Sequence, residues 1–287
     1  MRIASVVIFT LLAAAVIAAQ SVPAAIFTDP PADSAHPAKM TVLHIPSHGL
    51  LINGLVYQPS GAGLHPTVVI CHGLPGNEKN LDLAQALRRA GWNAVTFNYR
   101  GSWGSPGNFR FAQNLEDAKA VLAYLRDPAN VTKLEIDTHR IAMVGHSMGG
   151  WVVAHTAASD HALLGAVLIS AGDMGNLGNA PRDRAVALMA DDMESLTGVT
   201  AESMVDEVRA NAKAFRMENA AAGLVQTPLL ALTADDGLAP DTDNLVKAIE
   251  AKGGHKLTAM HFATDHSWSD RRITLESEII KWLNGLH

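Results

Sequence analysis

The chain has 287 residues, of which 48% are hydrophobic, 17% charged and 5% aromatic, and it carries a net charge of -6. That length suits one large domain or two small ones with a sizeable core, and the composition excludes disorder over most of the chain. The acidic balance excludes a global attraction for nucleic acid or anionic membrane, and the lone cysteine, Cys71, excludes a disulfide framework or a Cys-rich metal site.

In chain order, Arg2 precedes an apolar run from Ile3 to Ala19, followed by small residues through Ala24 and Ala25. A basic start, an apolar stretch and small residues at a cut predict a secretory signal peptide over 1–25. The cut falls after Ala18 or Ala19, or nearer Ala24. Cleavage is favoured over an uncleaved anchor because the run is short for a span. The chain is therefore expected to be exported, periplasmic or secreted, with no stable membrane insertion afterwards. Residues 26–40, with Pro30, Pro31 and Pro37, read as a linker, and 41–287 as one domain.

Within that domain, extended stretches are expected at 41–46 and 50–58. Short apolar runs then alternate with helical patterns. Strands are expected at 67–71, 93–98, 141–144, 166–170, 228–233 and 257–262. Helices are expected at 81–90, around Leu115, Ala118, Leu122 and Leu125, from Met148, at 245–251 and at 273–283. The alternation predicts an α/β fold, a parallel sheet with helices on both faces, whose strands are apolar throughout because both faces are covered. Residues 174–225 break the alternation with helical patches and no strand. They read as a helical cap over the sheet's ligand-binding edge. Met174, Met189, Met193, Met204 and Met217 fall there, and ordinary packing is the preferred reading for any one of them over lining of a pocket.

Residues 145–149 read Gly-His-Ser-Met-Gly, between a strand pattern and a helix pattern. That context predicts a sharp turn that lifts the Ser147 hydroxyl above the strand end, beside a helix N-terminus. Serine needs a base, and His266 lies after the last strand, on the same sheet edge. A third group must orient the imidazole. Asp236 is the choice, with its neighbour Asp235 in reserve. Oxyanion donors are expected from the backbone N–H of Met148 and of Leu74, the latter in the loop after Cys71. Cys71 reads as a buried strand-end thiol, Arg100 as a structural ion pair rather than a substrate anchor, and His146 as packing. His44, His48, His255 and His261 show no metal spacing.

The His72-Gly73 loop, the Gly145–Gly150 turn, Asp236 and His266 resemble the α/β-hydrolase superfamily. Asn98-Tyr99-Arg100-Gly101-Ser102 and Asp265-His266-Ser267 further resemble the prolyl-oligopeptidase-like, serine-aminopeptidase-like and feruloyl-type esterase branches. The resemblance covers about 41–287 and implies an eight-stranded, mostly parallel sheet with a small cap insertion. It implies a serine hydrolase on a small-molecule ester or a short peptide, with a carboxylesterase favoured and a serine peptidase as the alternative. No metal or organic cofactor is needed. Ser147 stands where dienelactone hydrolases carry Cys and where haloalkane dehalogenases and epoxide hydrolases carry Asp, which disfavours those chemistries. A catalytically silent hydrolase fold used for binding is the rival from another class, and it has no need of all three side chains.

Overall fold

The computed structural model describes residues 22–286. The apolar run Ile3–Ala19 lies outside them. Among the described residues, no helix is long and apolar enough to cross a membrane.

Eight strands form one sheet: β1 (Lys39–Ser47), β2 (Leu50–Gln58), β3 (His65–Cys71), β4 (Asn93–Phe97), β5 (Ile136–His146), β6 (Gly165–Ile169), β7 (Leu229–Ala234) and β8 (Leu257–Phe262). Their order is β1-β2-β4-β3-β5-β6-β7-β8. β2 runs antiparallel to β1 and β4, and every other pair is parallel. The expected mostly parallel sheet is thus present. β3, β6 and β7 are buried at nearly every position, as a sheet covered on both faces requires.

Helices cover both faces. On one lie α1 (Leu81–Arg89) and α10 (Arg272–Asn284), packed with Trp92 and Trp268 over Val68, Val144 and Ile169. On the other lie α2 (Phe111–Arg126), α4 (Met148–Ala157) and α9 (Ala239–Glu250). Between α2 and β5 sits a short helix, α3 (Pro128–Leu134), which the apolar pattern does not predict. Its signals are local: Asp127 caps Ala129 N, and Pro128 stands at the first helical position. β5 is also longer than expected, because Ile136 already pairs with His65 at the start of β3.

The expected helical insertion consists of α5 (Met174–Asn179), α6 (Arg182–Ala190), α7 (Ala201–Ala210), a turn at Met217–Ala220 and α8 (Ala221–Leu224). Trp151, fully buried on α4, donates its indole N–H to Phe215 O at 2.7 Å and so ties this insertion to the central helix. Met204 and Met217 are wholly buried, while Met174 and Met189 reach the cavity described below. At the amino-terminal end, β1 starts at Lys39. Before it, a single 3-10 turn at Ala24–Ile26 is held by Arg89, which donates to Ala25 O and Ile26 O.

Candidate active site

The strand-to-helix turn after β5 sets Ser147 at φ 57° and ψ -124°, a conformation that L-residues rarely adopt. What forces it is the closeness of α4 to the sheet. A Cβ on Gly149 would stand 2.0 Å from Cys71 O, and one on Gly145 would stand 2.1 Å from Gly149 O. Only glycines let the helix leave the strand so sharply. Ser147 therefore projects at the C-terminal edge of the sheet, where the strand-end loops meet.

The loop after β7 supplies Asp236, and the loop after β8 supplies His266. His266 Nδ1 donates to Asp236 Oδ2 at 2.8 Å. The carboxylate is sealed at 2% exposure, whereas the imidazole is 39% exposed, so the ring bridges a buried charge and an open cavity. Burial acts to raise the Asp236 carboxyl. Hydrogen bonds from His266, the Leu238 amide and Ser170 outweigh it and hold the group at about 2. With its Nδ1 proton directed at Asp236, a neutral His266 keeps a lone pair on Nε2.

Asp235, the reserve in the sequence reading, has another partner. It accepts from exposed His261 Nε2 at 2.9 Å. Both lie in the turn between β7 and α9, which directs the Asp236 carboxylate to His266 and that of Asp235 to His261.

Ser147, Met148, Leu74, Asp236 and His266 line one cavity of about 520 Å³, roofed by Met174, Leu177, Leu188 and Met189 of the insertion. Among the described residues, neither the Leu74 nor the Met148 amide N–H donates to another group of the protein. Tyr99 supports the Leu74 side from below: its hydroxyl donates to His72 O at 3.3 Å and its ring meets that of His72 edge-on. Trp103 Nε1 and Ser195 Oγ both donate to Pro75 O.

Residues given structural roles from sequence keep them. Arg100 donates through Nε to Asp117 Oδ1 at 2.6 Å and also pairs with Glu116. Burial pushes the Cys71 thiol up to about 12, too high for a reactive thiolate. His146 is buried, with its ring 4.7 Å from that of His266 and tilted to it by 40°. Trp268, with φ 59° and no exposure, donates to Ser170 Oγ at 3.1 Å and so fixes the loop that carries His266. Neither Ser170 nor Trp268 stands out in the sequence, because a lone Ser at a strand end and a Trp before a helix have many uses.

The chain belongs to the alpha/beta hydrolase family, whose model matches residues 68–275. An uncharacterised Mycobacterium tuberculosis protein is 31% identical over 129 residues, which are 45% of this chain and 44% of that one. The match thus spans less than half of that relative's length. Among solved structures, an esterase of Pyrobaculum calidifontis superposes with a TM-score of 0.65 and 21% identity over 87% of this chain and 86% of that one. An acylaminoacyl peptidase of Pyrococcus horikoshii gives a TM-score of 0.66 and 15% identity over 86% of this chain and 41% of that one. At these identities the superpositions establish a shared fold.

Proposed function

We propose that this hydrolase is an exported serine carboxylesterase that cleaves small or medium acyl esters. The observation that carries the reading is the meeting of Ser147, on a strained strand-to-helix turn, with His266 hydrogen-bonded to Asp236 at one apolar-roofed cavity.

In this account Ser147 Oγ attacks the ester carbonyl carbon, and His266 Nε2 takes the hydroxyl proton. Asp236 holds the ring and stabilises its cationic form. The amides of Leu74 and Met148 donate to the oxyanion, each contributing about 3 kcal/mol to the barrier reduction. The tetrahedral intermediate collapses, the C–O bond to the alcohol breaks, and His266 protonates the departing oxygen. Water, deprotonated by His266, then attacks the acyl carbon and releases the acid with Ser147 restored. All atoms come from ester and water.

Export rests on the leader-like run in the sequence. Ester over amide rests on the cavity: its size suits a compact ester, and the peptide alternative requires an anchor for a longer chain. The test is turnover of p-nitrophenyl butyrate beside an aminoacyl-p-nitroanilide, with Ser147→Ala as control. Ester cleavage lost in Ser147→Ala supports the reading. Cleavage of the anilide alone transfers it to a peptidase.

A further inference from the structure

The cavity beside Ser147 has two chemistries in its lining. Leu74, Met174, Leu177, Leu188, Met189 and Leu238 are apolar. Asp173, Asp192, Asp236 and Asp241 are acidic, and among the described residues no Lys or Arg lines the cavity.

Three of those carboxylates are occupied. Asp236 holds His266 and the Leu238 amide. Asp173 accepts from the amides of Gly175 and Met217 and pairs with Arg216 at 3.3 Å. Asp241 accepts from Asp173 N at 2.9 Å and from Asn176 Nδ2.

Asp192 differs. It follows α6 in the insertion and is half-buried, and among the described residues its carboxyl has no hydrogen-bond or ion-pair partner. Burial, and then the neighbouring charge of Asp191, push it up to about 6, with His266 pulling the other way. A half-buried carboxylate with no direct hydrogen-bond or ion-pair partner is unfavourable in the free protein. Facing a substrate cavity, it is satisfied when a bound molecule brings the cation.

We propose that Asp192 is a specificity-determining residue that selects esters bearing an ammonium group next to a compact apolar portion. The proposal rests on the esterase reading above and names its substrate class. The apolar lining takes the hydrocarbon, the Asp192 carboxylate faces the ammonium, and the carbonyl lies between Ser147 and the two amides. A single ion pair in a partly enclosed site favours the cationic ligand over a neutral one of the same shape by about tenfold.

Two isosteric pairs read this preference, one for each side of the ester. Butyrylcholine against 3,3-dimethylbutyl butyrate puts the cation on the alcohol. The p-nitrophenyl ester of 4-(trimethylammonio)butanoate against that of 5,5-dimethylhexanoate puts it on the acyl group. Quaternary nitrogen removes titration of the substrate from the comparison. Binding to full-length mature Ser147→Ala by calorimetry gives the cation preference without turnover, and kcat/KM of the wild type gives it in the reaction. In at least one pair, binding and kcat/KM both favour the cation by about tenfold, and Asp192→Asn brings the ratio of the two esters near one. Three results overturn the proposal: no cation preference in either pair, a preference that survives in Asp192→Asn, or an equal loss on both members of a pair. The last would mean that Asp192 acts through His266. A cation preference in binding with no Ser147-dependent turnover of any ester would instead overturn the esterase reading. The two claims therefore fail separately.

Discussion

The ring of His146 donates its Nε2 proton to the backbone carbonyl of His266 at 2.8 Å, while the two rings lie 4.7 Å apart. The residue before the proposed nucleophile thus holds the loop that carries the proposed base. A strand end and a loop separated by 120 positions in sequence are joined at the point where their side chains must cooperate. His146 is a positioning residue in this account: it touches the base loop, not the substrate.

One consequence concerns rate. His146→Ala removes the donor and lets the His266 loop relax, so kcat for p-nitrophenyl butyrate is expected to fall about tenfold with a smaller change in KM. His146→Gln keeps an N–H within reach and restores part of the loss. An equal loss in both variants would mean that only the ring's volume matters.

The same residue has a pH signature. Burial, and then the positive charge of nearby His266, hold the His146 ring at about 4, against about 6.5 for an exposed imidazole. Between those values the unfolded chain binds a proton that the folded chain refuses, so this contribution to stability grows as pH rises from 4 to 6.5 and is level above. His72, also held at about 4 by its burial, behaves alike. The raised carboxyls of Asp173, Asp192 and Glu276 act in the opposite sense over a similar range, so the whole-protein curve mixes both. Comparison of the wild type with the non-titrating His146→Gln isolates the histidine. In urea unfolding, the wild-type advantage is expected to be larger at pH 7 than at pH 4.5, and a smaller advantage at pH 7 would contradict the assignment.

A further prediction follows from the backbone at Ser147. A non-glycine residue at positive φ costs about 1–3 kcal/mol. Ser147→Gly removes that cost in the folded state, although glycine's freer unfolded chain returns part of it. Both Ser147→Gly and Ser147→Ala are expected to be inactive, with the glycine variant the more stable by about 1 kcal/mol in thermal or urea unfolding. Equal stabilities would show that the turn is not strained by its side chain.

The cap supplies another. Arg216 pairs with buried Asp173, which anchors both α5 and the Met217 amide, and it also meets Glu218 and Asn176. Burial already pushes Asp173 up to about 6. Arg216→Met leaves that carboxyl without its countercharge and raises it further. Destabilisation of about 1–3 kcal/mol is expected at pH 8. It should be less at pH 5, where Asp173 is protonated and needs no partner. A loss that grows toward low pH would contradict this role for Arg216.

Much of this fold is legible in the chain because buried parallel strands leave a strong trace. β3, β6 and β7 are short apolar runs bounded by glycine, proline or polar residues, and Gly145-His146-Ser147-Met148-Gly149 interrupts a strand-to-helix passage in one way only. α3 is harder to read, since seven residues hold too few turns for an apolar period, and its signals are the cap Asp127 and Pro128. Asp236 and Asp235 differ by one position and share a composition. Only the direction of each side chain, toward His266 or toward His261, separates them. Asp192 is less legible still. Its significance is the absence of a partner, and that depends on how the insertion folds over the sheet edge.

The central claim is that Ser147, activated by His266 and Asp236, is the nucleophile. The direct measurement is the intact mass of the mature protein after exposure to a fluorophosphonate, followed by peptide mapping. The account predicts a single adduct on Ser147, formed with loss of fluoride, absent in Ser147→Ala and slowed by about a thousandfold or more in His266→Ala. Folded wild-type protein that takes no label, or takes it at a residue other than Ser147, would contradict the claim.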